Sequence, residues 1–138
     1  MLNKILVAYD GSKPAGRAFD FALELAKPFQ AAITVLSLAS PPEPATRVET
    51  EAMLESATNH FVEDFERLRN AAKEAGVAFE TRVAVGHAAE QIVHFAAEEK
   101  MDLIVMGHRG RSVLARWLLG SVSKRVMSYA PCSVLIVR

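Results

Sequence analysis

The sequence has a single cysteine, so no disulfide bond can form within the chain. It also has no net charge, since 16 basic residues balance 16 acidic ones, and no bulk charge indicates a nucleic-acid partner or an anionic membrane. No apolar run reaches the length of a transmembrane helix. The apolar run at residues 4–9 is too short for the core of a signal peptide. We therefore expect a cytoplasmic protein that binds neither nucleic acid nor membrane.

A metal-ligand pattern is also missing from the sequence. The four histidines have no cysteine or carboxylate partner at ligand spacing, which argues against a metal site built from protein side chains alone.

The chain has 138 residues, of which 51% are hydrophobic. That length and composition suit one domain with its own core, and we expect a single domain over residues 1–138.

Five short apolar segments alternate with four segments of helical periodicity. Ser12 and Pro14 are typical of a helix start, and Pro28 predicts the end of that first helix, near Ala26. Three prolines between residues 39 and 47 exclude regular structure there. The predicted strands cover residues 4–9, 31–38, 77–85, 102–106 and 132–137, and the later helices cover about 49–75, 88–99 and 121–130.

This alternation predicts an open, three-layer α/β fold in which a parallel five-stranded sheet has helices on both faces. Ligands bind at the carboxyl ends of such strands, where the strand order reverses. Asp10 follows the first strand, and Gly107 follows the fourth. They share one crevice if the order is 3-2-1-4-5, whereas the order 2-1-3-4-5 would place strand three between them.

The segment after the fourth predicted strand has the composition of an anion-binding loop. Glycines let backbone N–H groups approach an anion, a helix N-terminus adds unpaired donors, and serine and arginine side chains add more. The spacing is neither that of a P-loop nor GxGxxG. We expect a phosphate or nucleotide loop; the alternative is a long connection whose glycines serve only turns. The residues concerned are Gly107, Arg109, Gly110, Arg111, Gly120, Ser121 and Ser123.

The spacing Gly107-x2-Gly110-x9-Gly120-Ser121 resembles the ATP-binding signature of the universal stress protein family. The resemblance extends over essentially the whole chain, and it implies a Rossmann-like fold with the order 3-2-1-4-5. It also implies a set of nucleotide-contacting positions. Among them, Ala8, Leu38 and Met106 would form an apolar surface for adenine and ribose. The nucleotide-contacting positions are Ala8, Asp10, Leu38, Met106, Gly107, Arg109, Gly110, Gly120, Ser121, Val122 and Ser123.

Asp10 has two interpretations. Its carboxylate can cap the turn into the first helix, or it can hold a ribose hydroxyl or the Mg²⁺ of a bound nucleotide.

The last strand, residues 132–137, has no polar alternation and would lie at a sheet edge, which needs a cover. The family resemblance implies that this strand pairs with its copy in a second subunit, and we expect a homodimer.

The resulting hypothesis is a regulatory, ATP-binding stress protein without rapid turnover, because no general base for hydrolysis is evident. The alternatives are a slow ATPase, an enzyme that phosphorylates its own Ser121 or Ser123, a nucleotidyl-transferring enzyme, and an interaction module for AMP, ADP or a signalling nucleotide. A response-regulator receiver is excluded, since the third predicted strand ends Val83-Ala84-Val85-Gly86 without a phospho-accepting aspartate.

Overall fold

The structure is a computed structural model that describes residues 1–39, 46–109 and 119–138. Within these ranges strands and helices alternate as predicted. The strands are β1 (Lys4–Ala8), β2 (Ala32–Ala39), β3 (Phe79–Val85), β4 (Leu103–Gly107) and β5 (Ser133–Val137). The helices are α1 (Lys13–Phe29), α2 (Arg47–Glu74), α3 (Ala88–Glu98) and α4 (Ser121–Tyr129).

The five strands form one parallel sheet in the order β3-β2-β1-β4-β5, which confirms the predicted order. β1 lies between β2 and β4, and Val7 is in register with Val35 on one side and Val105 on the other. The carboxyl ends of β1 and β4 are therefore neighbours at the same edge of the sheet. Because of this adjacency, Asp10 and Gly107 lie at the same edge of the sheet, which is the arrangement that the order 3-2-1-4-5 implies.

Two hydrophobic clusters cover the two faces of the sheet. Ile5 and Val7 point into the cluster formed with α1 and α2, and Leu6 points into the cluster formed with α3 and α4. All three are fully buried. Because successive side chains of a strand face opposite sides and both sides are covered here, β1 is continuously apolar from Ile5 to Ala8, with no polar alternation.

The end of α1 differs from the prediction that Pro28 stops the helix near Ala26. The helix continues through Pro28 to Phe29, because a proline in the last turn removes only one helical hydrogen bond. Gln30 ends the helix in a left-handed conformation with φ 55°, and its N–H reaches the carbonyls of Ala26 and Lys27. Gln30 therefore determines where α1 ends, about one turn after the end predicted near Ala26.

Both ends of α2 follow recognised capping chemistry. Thr46 and Glu49 form a capping box, so the helix begins two residues before its predicted start near 49. At the other end Gly76 has φ 69°, and the N–H of Val77 bonds to the carbonyl of Ala72 at 2.9 Å. Gly76 therefore occupies the left-handed position after the helix, where a residue without a Cβ atom is favoured.

The end of β4 packs directly on the start of α1. A Cβ atom at Gly107 would lie 2.7 Å from the Cβ of Pro14 and 2.9 Å from its carbonyl carbon. Contacts this short do not occur for real side chains, so only glycine permits this approach. A Cβ atom at Gly16, in α1, would meet no atom within 4 Å among the described residues.

We expect two glycine-to-alanine substitutions near this contact to change stability in opposite directions. Gly107→Ala forces β4 and α1 apart and should lower the free energy of unfolding by about 1–3 kcal/mol. Gly16→Ala removes backbone freedom within a helix and should raise it by about 0.5–1 kcal/mol. Urea denaturation of both variants measures the difference, and a neutral Gly107→Ala would contradict the packing described.

A second expectation concerns Asp102, whose Oδ2 accepts hydrogen bonds from the backbone N–H groups of Asn3 and Lys4 at 2.8 and 2.9 Å. These bonds lower the pKa of its carboxyl group, so its stabilising effect is present near neutral pH and is lost as pH falls through the lowered pKa. Asp102→Ala should lower the urea midpoint at pH 7, and the gap to the unsubstituted chain should close below about pH 4.

Asp20→Ala is the matched control for Asp102→Ala, because Asp20 is exposed on α1. It should leave the midpoint nearly unchanged at both pH values. An equal loss in both variants, or a gap that persists in acid, would show that the hydrogen bonds of Asp102 do not stabilise the start of β1.

Candidate functional site

A cavity of about 480 Å³ lies at the carboxyl ends of β1, β2 and β4. It brings together ten of the eleven residues that the sequence predicted for the site, and the eleventh, Gly110, lies outside the described residues. The ten are Ala8, Asp10, Leu38, Met106, Gly107, Arg109, Gly120, Ser121, Val122 and Ser123.

One side of the cavity is an apolar wall formed by Ala8, Leu36, Leu38, Ile92 and Met106. All five belong to the hydrophobic cluster between the sheet and α3 with α4. The small side chain of Ala8, at the end of the central strand, leaves room where a larger residue would fill the space. This wall suits a flat apolar group such as a nucleobase.

The N-terminus of α4 also lines the cavity. Gly120 is the N-cap residue, and among the described residues no side chain accepts a hydrogen bond from the first turn of this helix. The N–H of Gly120 itself donates to the carbonyl of His108 at 2.8 Å. Uncapped N–H groups and the positive end of the helix dipole make this a favourable place for an anion.

The two serines of α4 have different surroundings. Ser123 is 2% exposed, and its Oγ donates to the carbonyl oxygen of Gly107 at 3.0 Å, with a longer contact to that of His108 at 3.3 Å. Its hydroxyl therefore attaches α4 to the end of β4. Ser121 is exposed and lines the cavity, so its hydroxyl, unlike that of Ser123, is accessible to solvent.

Charged side chains of both signs reach the cavity. Asp10 accepts a hydrogen bond from the N–H of Ser12 at 2.9 Å through Oδ1, which is the turn-capping role considered from the sequence. It also lines the cavity, so capping and ligand contact are compatible. Arg109 lines the cavity as well and is only 9% exposed, which brings a buried cation close to the end of β4.

Sequence reasoning missed seven residues that line the cavity. Ala15 and Ala88 belong to the first turns of α1 and α3. In a parallel sheet these turns lie at the same edge as the carboxyl ends of the strands, so the predicted topology could have identified both residues. Lys124 follows Ser121 at helical spacing, which was also readable from the sequence. The full set is Tyr9, Ala15, Leu36, Ala88, Ile92, Leu119 and Lys124.

Tyr9 connects the cavity to α2 on the other face of the sheet. Its hydroxyl accepts a hydrogen bond from Nη2 of Arg67 at 3.2 Å, and Arg67 is paired with Asp64. Burial, followed by the nearby negative charge of Asp64, raises the pKa of the Tyr9 hydroxyl. Tyr9 therefore stays neutral at physiological pH and serves as a packing and hydrogen-bonding group.

Within residues 1–39, 46–109 and 119–138, no three histidine, cysteine, aspartate or glutamate side chains come together as a metal site. In the same ranges, no helix combines the length and the apolar character needed to cross a bilayer.

Comparison with known proteins agrees with this arrangement. The model of the universal stress protein family matches residues 1–138. The chain is 36% identical over 150 aligned positions to universal stress protein YxiE of Bacillus subtilis, covering 100% of both sequences.

Solved structures give the same result. Universal stress protein UspA from Lactobacillus plantarum superposes with a TM-score of 0.82 at 25% identity, covering 99% of this chain and 98% of that one. A universal stress protein crystallised in complex with cAMP superposes with a TM-score of 0.77 at 29% identity, covering 99% and 97%. The chain belongs to the universal stress protein family.

Proposed function

We propose that this protein binds ATP, together with Mg²⁺, and acts as a nucleotide-dependent regulator in stress responses. The observation that carries the proposal is the cavity, which is lined both by an apolar wall and by a helix N-terminus that has no side-chain cap among the described residues. A base and a phosphate chain require these two surfaces side by side. The family member crystallised with cAMP supports an adenine nucleotide as the ligand class.

The proposed pose follows the chemistry of the cavity. Adenine and ribose lie along the apolar wall, against Ala8, Leu38 and Met106. The phosphates lie at the first turn of α4, where backbone N–H groups and the exposed hydroxyl of Ser121 donate to their oxygens. Asp10 holds the Mg²⁺ that accompanies the phosphates. The remaining proposed contacts are Gly107, Arg109, Gly110, Gly120, Val122 and Ser123.

We do not expect rapid turnover of the bound nucleotide. Hydrolysis needs a base that positions a water molecule at the reacting phosphate. Asp10 is the only carboxylate among the described residues that line the cavity, and its Oδ1 already accepts the N–H of Ser12. If the protein phosphorylates itself slowly, the exposed Ser121 is the favoured acceptor, because the hydroxyl of Ser123 is buried and bonded to Gly107.

We further propose a homodimer formed through β5. This strand is the last in the sheet order, so one of its edges has no partner within the described chain. Its apolar residues Val134–Val137 remain half-buried, and Met127 and Tyr129, just before it, are 50% and 70% exposed. An apolar sheet edge flanked by exposed apolar side chains suits pairing with a second copy.

The nucleotide proposal is tested by calorimetry on protein stripped of bound nucleotide, with ATP, ADP, AMP and cAMP, each with and without Mg²⁺. We expect micromolar or tighter binding of ATP. Ser121→Glu should weaken it by at least about tenfold, since a carboxylate at the start of α4 repels phosphate while remaining compatible with the helix.

Ser56→Glu is the matched control, because it adds the same charge to an exposed position of α2 that does not line the cavity. It should bind ATP like the unsubstituted protein. The absence of binding by every nucleotide in a folded sample would overturn the proposal, and a preference for AMP or cAMP would replace ATP by another adenine nucleotide.

The dimer is tested by sedimentation at micromolar concentration, where we expect twice the chain mass of 15.1 kDa. Ser133→Lys places a charge at the exposed start of the edge strand and should produce monomers. Val62→Lys, at a half-exposed position of α2, should remain dimeric. A monomeric mass for the unsubstituted protein would rule out the proposed assembly.

A further inference from the structure

Lys124 is a cation of the cavity that neither the glycine pattern nor the family resemblance indicated. It lies in the first turn of α4 with Ser121, and both residues line the cavity. The residue is exposed, so its ammonium group can move toward a ligand at low cost. Lys124 lies at the rim of the cavity, near the first backbone N–H groups of α4, which have no side-chain cap among the described residues.

The position of Lys124 runs against the usual electrostatics of a helix start. The N-terminus of a helix carries partial positive charge, and acidic residues in the first turn normally compensate it. In α2 and α3, Glu49 and Glu90 provide this compensation, whereas the first turns of α1 and α4 have no acidic residue. A lysine there adds to the positive potential at the end of α4.

Lys124 has no compensating charge elsewhere in the described part of the chain. None of the ion pairs among the described residues involves it. The described charged residues that line the cavity are two cations, Arg109 and Lys124, and one anion, Asp10. Among the described residues that line the cavity, cations therefore outnumber anions by one, although the whole chain is neutral.

We infer that Lys124 determines specificity by phosphate charge, so that the cavity favours nucleoside triphosphates over monophosphates and cyclic nucleotides. This inference rests on the proposed function and goes one step further, because it names the part of the ligand that is discriminated. A single phosphate is bound by the N–H groups of α4, where its charge is already balanced. Additional phosphates extend toward the rim and meet the ammonium group of Lys124.

The test compares Lys124→Gln and Lys124→Glu with Arg125→Gln, in calorimetric titrations with ATP, ADP, AMP and cAMP. Arg125 is the next residue of α4 and is exposed, but it does not line the cavity, so its substitution removes the same charge without the same contact. Lys124→Gln should weaken ATP binding about fivefold and AMP or cAMP binding less than about twofold. Arg125→Gln should change none of them appreciably.

Lys124→Glu provides a second readout. It should weaken ATP binding further than Lys124→Gln and at the same time raise the melting temperature, because a carboxylate compensates the dipole of α4. Opposite changes in affinity and stability would distinguish a ligand-directed lysine from a merely structural one.

The outcomes separate the two proposals. If the unsubstituted protein binds no adenine nucleotide, the proposed function fails and this inference fails with it. If it binds nucleotides but Lys124→Gln leaves ATP unchanged, or weakens all four ligands equally, the proposed function stands and the discrimination by phosphate charge is refuted.

Discussion

The close approach of Gly107 to Pro14 is the constraint on which the site depends. It sets the distance between the end of β4 and the first turn of α1. Hydrogen bonds hold the same point from the other sides: Ser123 donates to the carbonyl of Gly107, and the N–H of His108 donates to the carbonyl of Val137. One strand end is thus fixed by two helices and the edge strand. The backbone around the cavity is positioned before any ligand arrives, which lowers the entropic cost of binding.

The chemistry of the cavity follows from its location between two layers. Its apolar wall is continuous with the cluster beneath α3 and α4, so this surface of the cavity is an extension of the core. Its polar side is made of backbone groups at the start of α4, where helix geometry leaves donors unpaired. The site therefore needs few specialised side chains, and small residues such as Ala8 and Gly120 are as important as charged ones.

Much of this arrangement was predictable from sequence, because it depends on patterns that act locally. The alternation of apolar runs and helical periodicity indicated the elements, and the family resemblance implied the strand order that lets Asp10 and Gly107 share one crevice. What the sequence did not reveal depends on tertiary contacts. Pro28 is tolerated in the last turn of α1 because Gln30 ends the helix. The different surroundings of Ser121 and Ser123 arise only when α4 docks on β4. Gly110 and the proline-containing segment at residues 40–45 lie outside the described residues.

The four helix starts show how stability and ligand binding compete within one fold. α2 has a complete capping box, and α1 has the Ser12 hydroxyl bonded to the N–H of Ala15. α3 and α4 have no side-chain cap at their N-cap residues, His87 and Gly120, and α4 is held instead by tertiary hydrogen bonds of Ser123 and Gly120. A side-chain cap would satisfy the same N–H groups that an anion needs. Anchoring α4 through β4 keeps the helix in place while its first turn stays open, so the missing cap is consistent with a binding function at this end of the helix.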